Sequence, residues 1–189
     1  MPLGGSLDRY RSISDAKSNM NVVICVYQVQ GTATESKINR ILFDVQQELQ
    51  KELEFYSKIK TSYVYENKST TNVKPFEELT KDSPIIYKES YEKTVHNLAH
   101  VLIMGLTLLE REQEPFTENR LYLLTDETRQ YERVQINQII CKESGASGNN
   151  VKINPRFNGI CHRMYLYTTS EQNCSELRKI FNIVRVFRD

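Results

Sequence analysis

Amide, hydroxyl and carboxylate side chains follow two of the most apolar runs in the chain. The run Asn21–Tyr27 leads directly into Gln28-Val29-Gln30-Gly31-Thr32, and the run Arg120–Thr125 leads into Asp126. If both runs are parallel strands, these polar residues lie beyond the strand carboxyl ends, where open α/β sheets bind their ligands. The two loops that follow the runs are therefore the candidate site.

Several other kinds of site receive little support from the sequence. His96 and His100 stand four apart on a predicted helix, but the glutamate of a zinc protease motif is absent between them and no third ligand is evident. We expect these histidines and His162 to be solvated or to lie at the edge of the core. The chain contains no Gly-x-Ser-x-Gly elbow, no Gly-x-Gly-x-x-Gly turn and no P-loop, so we expect no enzyme of those families.

The composition argues against nucleic-acid and membrane binding. Across 189 residues, 25 Lys and Arg face 24 Asp and Glu, and the formal charge of +1 offers no clustered excess of basic residues. No window approaches the run of about 20 apolar residues that a membrane span requires. The 11 tyrosines could form a stacking surface for single-stranded nucleic acid, but most fall in predicted strands, so sheet packing accounts for them.

Cysteine usage favours a reducing compartment. The four cysteines, Cys25, Cys141, Cys161 and Cys174, contain no close pair that would suggest a zinc or redox motif. Cys25 lies inside an apolar run and Cys161 begins another, as buried thiols do. We therefore expect reduced thiols and a cytoplasmic or nuclear location.

Apolar periodicity predicts one α/β domain with a doubly wound, mostly parallel central sheet and helices on both faces. Residues 1–19 read as a flexible lead-in and residues 20–189 as the domain. We expect loops and a short helical turn over Glu66–Lys93, and a loop over Glu143–Asn150. The predicted strands are Asn21–Tyr27, Thr61–Tyr65 (at an edge), Arg120–Thr125, Gly159–Tyr167 and Ile183–Phe187; the predicted helices are Ile38–Leu53, Tyr91–Glu112, Thr128–Lys142 and one around Leu177–Phe181.

This order of elements resembles the von Willebrand factor A domain. That family has an apolar first strand running into Asp-x-Ser-x-Ser, a long helix, a threonine in a middle loop, and a later strand ending in Leu-Leu-Thr-Asp. Here the first strand and helix are matched, Leu123-Leu124-Thr125-Asp126 closes a strand, and Glu92-Lys93-Thr94-Val95 looks like the threonine loop. The resemblance covers roughly residues 21–189 and implies a Rossmann-like sheet.

The resemblance also implies where a metal-ion-dependent adhesion site would lie. In the family, two Asp, two Ser and one Thr gather around magnesium or manganese, which prefer hard oxygen ligands, and leave a vacancy for a partner's carboxylate. Carried over, the first Asp is Gln28, the two Ser are Gln30 and Thr32, the loop Thr is Thr94 and the later Asp is Asp126. Because only one carboxylate remains, we expect no bound metal or other cofactor.

The resemblance therefore implies a non-catalytic protein-interaction module with a degenerate ion site, acting as an adaptor or scaffold subunit of a larger complex. Its partner-binding residues would be Gln28, Gln30, Thr32, Thr94 and Asp126. One alternative is a domain that still binds a divalent ion through the reduced site. Another is a phosphate- or FMN-binding protein, because Gln30–Glu35 loosely resembles the phosphate loop of flavodoxins and offers threonine hydroxyls at a helix start.

Overall fold

The structure is a computed structural model that describes residues 17–27, 35–67, 70–86, 98–125, 141–144, 151–153, 160–161, 163–168 and 183–186. Within these ranges the chain forms two helices and eight strands. In chain order they are β1 (Asn19–Tyr27), α1 (Glu35–Glu52), β2 (Lys58–Asn67), β3 (Thr70–Glu78), α2 (Leu98–Arg111), β4 (Thr117–Thr125), β5 (Cys141–Ser144), β6 (Val151–Ile153), β7 (Arg163–Thr168) and β8 (Ile183–Val186).

Six of the described strands form one sheet in the order β3-β2-β1-β4-β7-β8. All neighbours pair in parallel except β2 and β3, which form an antiparallel pair at one edge. The chain builds outward from β1 in one direction through β2 and β3, and then in the other through β4, β7 and β8. The predicted mostly parallel α/β sheet is confirmed, and the first strand lies at its centre as expected.

The two helices cover opposite faces of the sheet. Successive side chains of β1 and β4 alternate between these faces, so each strand packs against both helices. Apolar residues of β1 such as Val22 and Ile24 pack with the helix α1, whereas Val23 and Cys25 pack with α2. Each helix presents one buried stripe at helical spacing, as predicted for α1. The stripe of α1 is Ile38, Ile41, Leu42, Val45 and Leu49, and that of α2 is Val101, Leu102, Leu106 and Leu109.

Helix α2 approaches the sheet closely because it carries a glycine at the contact. A Cβ atom on Gly105 would lie 2.5 Å from Cys25 Sγ and 3.2 Å from side-chain atoms of Leu121 and Val23. The thiol of Cys25 in turn lies 3.8 Å from the carbonyl oxygen of Val101, one turn earlier on the same helix. A glycine therefore sets the distance between α2 and the centre of the sheet.

The predicted edge position of Thr61–Tyr65 was wrong, since β3 pairs with β2 on its outer side. Within Glu66–Lys93, where loops and a short helical turn were expected, Thr70–Glu78 is a strand. Its charged residues and Pro75 argued against a strand in the sequence. An edge strand tolerates them because the backbone groups on its outer side need no hydrogen-bond partner in a neighbouring strand. The segment gains its order from long-range pairing, such as Val64 with Val73.

The connection between β4 and β7 also differs from the prediction. Cys141–Ser144 is a strand rather than the end of a helix and the start of a loop, because it pairs antiparallel with Val151–Ile153. A local pattern does not reveal a pairing partner across a polar segment. Strand β7 begins at Arg163 rather than Gly159, whereas the predicted final strand is confirmed as β8. The predicted helices over 128–140 and around 177–181 lie outside the described residues.

Neither described helix is long and apolar enough to cross a membrane.

Candidate functional site

The carboxyl ends of β1 and β4 lie side by side at the centre of the sheet. Tyr27, the last residue of β1, is the register partner of Thr125, the last residue of β4, and Thr125 in turn pairs with Thr168 of β7. Tyr27 is 5% exposed, and both threonines are fully buried. The strand order reverses between β1 and β4, so this is the point at which open α/β sheets bind ligands.

The five predicted site residues lie outside the described residues. Gln28 follows Tyr27 in the chain and Asp126 follows Thr125, so the first and last of the predicted segments start from adjacent strand ends. Gln30, Thr32 and Thr94 belong to the undescribed ranges 28–34 and 87–97. The convergence of the five side chains therefore stays a prediction.

No group of three or more His, Cys, Asp or Glu side chains is arranged to hold a metal ion in the part of the chain that the structure describes. His100 is partly buried, and its Nδ1 lies 2.8 Å from the hydroxyl of Thr71 on β3, so the expected core-edge histidine is confirmed at this position. His96 and His162 lie outside the described residues.

Cys25 and Cys161 are free thiols. Burial raises the pKa of the Cys25 thiol well above its ordinary value, and the nearby Cys161 adds to the increase. Burial likewise raises the pKa of Cys161 to about 12, against hydrogen bonds to the backbone that lower it. Thiolates are the reactive form, so neither cysteine is set up as a nucleophile or metal ligand.

A charged cluster that the sequence reasoning missed ties the end of α1 to β4. The guanidinium of Arg120 donates hydrogen bonds to Glu52 Oε2 at 2.6 Å, to the Tyr56 hydroxyl at 3.1 Å and to Glu118 Oε2 at 3.2 Å. The Tyr56 hydroxyl donates to the same Glu118 carboxylate, and Arg163 of β7 lies 3.7 Å from its other oxygen. Two carboxylates and two cations thus share one network.

The network sets the charge states of its members. Burial alone would lower the pKa of Arg120, but its interactions with Tyr165, Glu118 and Glu52 outweigh it and raise that pKa. Burial and the hydrogen bond to Glu118 raise the pKa of Tyr56 to about 12. Arg120 therefore stays charged and Tyr56 stays protonated, as a structural clamp requires. The sequence signal that could have indicated this network is the spacing of Glu118, Arg120 and Tyr122, which places the three side chains on one face of β4.

The tyrosines of β4 and β7 pack against the same face. The rings of Tyr122 and Tyr165 stack with centroids 4.4 Å apart, and Tyr167 lies beside them with a centroid distance of 6.0 Å to Tyr122. Tyr167 donates a hydrogen bond to Glu48 on α1, which also accepts one from Arg185 of β8 at 2.7 Å. All three rings are at most 6% exposed, so sheet packing accounts for them, as predicted.

Comparison with known proteins gives one informative result. No family model matches the chain, and no curated protein matches it. Among solved structures, a von Willebrand factor type A protein from Catenulispora acidiphila superposes with a TM-score of 0.53 at 14% sequence identity, over 92% of this chain and 39% of that one. This chain has a von Willebrand A-like fold. It spans well under half of that neighbour, and at this identity the likeness concerns the fold alone.

The A-like fold agrees with the adjacent position of the ends of β1 and β4. It was predicted partly from the first strand and from the apolar run that ends in Leu123-Leu124-Thr125, and these two segments lie on the adjacent central strands β1 and β4. The chain therefore leaves β1 after Tyr27 and β4 after Thr125 at the same edge of the sheet.

Proposed function

We propose that this chain is a non-catalytic protein-interaction module that binds a protein partner at the carboxyl edge of its A-like sheet. The pairing of Tyr27 with Thr125 carries the proposal, because it starts the two predicted loops from neighbouring strand ends. The binding residues are Gln28, Gln30, Thr32, Thr94 and Asp126.

The residue types favour direct polar contacts over an ion bridge. Gln28 and Gln30 stand where the family pattern has Asp and Ser, so one negative charge and one compact hydroxyl are replaced by neutral amides. Magnesium and manganese bind through carboxylate and hydroxyl oxygens, whereas amides both donate and accept hydrogen bonds to a peptide backbone or polar side chain. The partner is therefore held through hydrogen bonds from the loops, as in a scaffold subunit.

Position-specific photo-cross-linking in the protein's own cells tests the proposal. A photoreactive residue at Thr32 and another at Asp126 should capture the same partner, identified by mass spectrometry. The matched control is Gln47, an exposed residue on α1. The two loop positions should share an adduct that Gln47 lacks.

A second measurement separates binding from folding. Asp126→Ala should weaken capture at Thr32 by tenfold or more without changing the circular dichroism spectrum, a typical effect of removing a central contact. The same adducts at all three positions, or turnover of a small molecule by the purified chain, would overturn the proposal. Bound flavin would give the protein a yellow colour and point to the phosphate-loop alternative instead.

A further inference from the structure

Two aromatic side chains stand in solvent at the opposite, amino edge of the sheet. Phe55 follows α1 just before β2 and is 69% exposed, and Phe116 directly precedes β4 and is 92% exposed. Strands β2 and β4 both pair with β1, so their starts lie about 10 Å apart. Tyr56, the neighbour of Phe55, is hydrogen-bonded to Glu118 near the start of β4, which holds the two segments together.

The backbone at Phe116 makes its exposure unusual. Phe116 has a φ angle of 60°, which is the left-handed region that glycine favours and that bulky residues rarely adopt. An exposed phenylalanine at such a position adds nothing to the apolar core of the monomer. A backbone outlier combined with an exposed apolar ring is the type of observation that points to a binding surface.

In the part of the chain that the structure describes, charges of both signs lie around the two rings. The exposed residues of this edge include the cations Lys17, Lys51 and Arg111 and the anions Glu54, Glu110 and Glu114. Arg163 is exposed as well but is paired with Glu118. A surface of one sign would select a partner of the opposite sign, whereas a mixed surface with aromatic anchors matches a copy of itself across a two-fold axis.

We propose that the amino edge is a symmetric self-association surface, with Phe55 and Phe116 as its anchors and a second copy of this chain as its occupant. The two rings expose about 300 Å², estimated from a typical aromatic side-chain area, against the roughly 800 Å² per partner of a standard interface. The remaining area comes from the charged rim, so the dimer is weak. Such a dimer holds the two carboxyl edges facing away from each other, free for partners.

Sedimentation equilibrium of the full chain tests the self-association. We expect a monomer–dimer equilibrium with a Kd on the order of 10–100 µM. Phe116→Ser and Phe55→Ser should each raise the Kd tenfold or more, while Val73→Ser, which changes an apolar residue that is 38% exposed on β3, should leave it unchanged. A wild-type chain that stays monomeric at about 500 µM, or a dimer that ignores both Phe substitutions, would overturn the proposal.

Charge reversal identifies the second copy as the occupant. The variant Glu54→Lys/Glu114→Lys and the variant Lys17→Glu/Arg111→Glu should each dimerise less than wild type, since each patch then has one dominant sign. Mixing the two should restore association as a heterodimer, which only a self-complementary contact predicts. If the mixture associates no better than either variant alone, the second copy is not the occupant.

Phe116→Gly separates binding from folding. Glycine adopts the left-handed backbone conformation without steric strain, so the melting temperature of the monomer should rise while the dimer weakens. A fall in both would mean that Phe116 serves the fold. The capture of a partner at Thr32 and Asp126 does not depend on these substitutions, so failure of the self-association leaves the proposed function standing, and the reverse holds as well.

Discussion

Arg120 of β4 donates a 2.6 Å hydrogen bond to Glu52 in the last turn of α1, with an arginine side chain that is only 5% exposed. The contact joins a helix that begins after the carboxyl edge of the sheet to a strand that begins at the amino edge. The second arm of the guanidinium reaches Tyr56 and Glu118, so a single side chain fixes the end of α1, the turn after it and the start of β4.

Removing this arginine should destabilise the fold. Arg120→Ala leaves Glu52 without its cation and leaves Glu118 with only the exposed Arg163 at 3.7 Å, and removal of one partner from a buried ion pair costs about 3–5 kcal/mol. Glu52 is 32% exposed, which places the expected loss near the lower end, about 3 kcal/mol. Urea unfolding measures it. Arg40→Ala, at an exposed position on the same helix, should change stability by less than about 0.5 kcal/mol.

The Glu118 carboxylate should make stability depend on acid pH. Burial acts to raise its pKa, but the hydrogen bond from Tyr56 and the charges of Arg120 and Arg163 outweigh burial and hold it below the ordinary value of 4.5. Ionised Glu118 therefore stabilises the fold above pH 4.5, and this contribution disappears as the pH falls through the lower, folded-state pKa. Urea unfolding between about pH 3 and 6 should show wild type and Glu118→Gln converging toward acid; a constant difference would contradict the prediction.

The contact between Gly105 and Cys25 should show strong coupling. Gly105→Ala gains helix propensity of about 1 kcal/mol, but its Cβ meets Cys25 Sγ at 2.5 Å, and overpacking costs about 1–3 kcal/mol, so we expect a net loss. Cys25→Ala removes that sulfur and should recover part of the loss in the double variant. A double-mutant cycle by urea unfolding measures a coupling on the order of 1 kcal/mol, and additive effects would refute the close approach.

Gln46 should hold the segment after β3 against α1. Its side-chain amide donates to the carbonyl oxygens of Ser83 at 3.3 Å and Pro84 at 2.9 Å, and accepts from the backbone N–H of Ile86 at 3.0 Å. Gln46→Ala leaves these groups unpaired, at a cost of about 1–3 kcal/mol. Hydrogen exchange of the Ile86 amide should accelerate. Gln47→Ala, at the exposed neighbouring position, should leave it slow.

Divalent ions should have little effect on the wild-type chain. Ligand stabilisation follows RT ln(1 + [L]/Kd), and the reduced ligand set predicts a Kd far above millimolar, so magnesium or manganese should not shift the melting temperature. Gln28→Asp/Gln30→Ser restores the family pattern and should give an upward shift of about 3–6 °C near ten times its Kd. That shift should vanish on adding Asp126→Ala. A wild-type shift that Asp126→Ala removes would show that the native site still binds the ion.

Patterns with strong local signals predicted most of the sheet. The β-branched run around Val23, the helical stripe from Ile38 to Leu49 and the run around Leu123 each specify their element without help from distant residues. The strand Thr70–Glu78 was not predicted from local signals. Its residues Lys74, Pro75, Glu77 and Glu78 are tolerated in an edge strand, and the segment becomes one by pairing with β2. Pairing across the chain, rather than composition, defines such strands.

The adjacency of the two strand ends that precede the candidate site was predictable, and the site itself stays a prediction. That a site would lie after Tyr27 and Thr125 follows from the parallel order of the strands, and the register of those two residues agrees with it. The Arg120 cluster was not predicted, because a charged residue within an apolar strand does not indicate which helix will supply its oppositely charged partner. Its partners Glu52 and Tyr56 are distant in the chain and become neighbours only through the packing of α1 on the sheet.

The central place of β1 has a consequence for how the chain folds as it is synthesised. Strand β2 follows within one helix and covers one side of β1, but the other side waits for β4, which begins only at Thr117. Until then a row of backbone donors and acceptors, flanked by Val22, Val23 and Ile24, has no ladder partner, and open strand edges of this kind bind other chains. The emerging polypeptide is therefore most vulnerable to aggregation between completion of the β2–β3 hairpin and arrival of β4, a window that a molecular chaperone would have to cover.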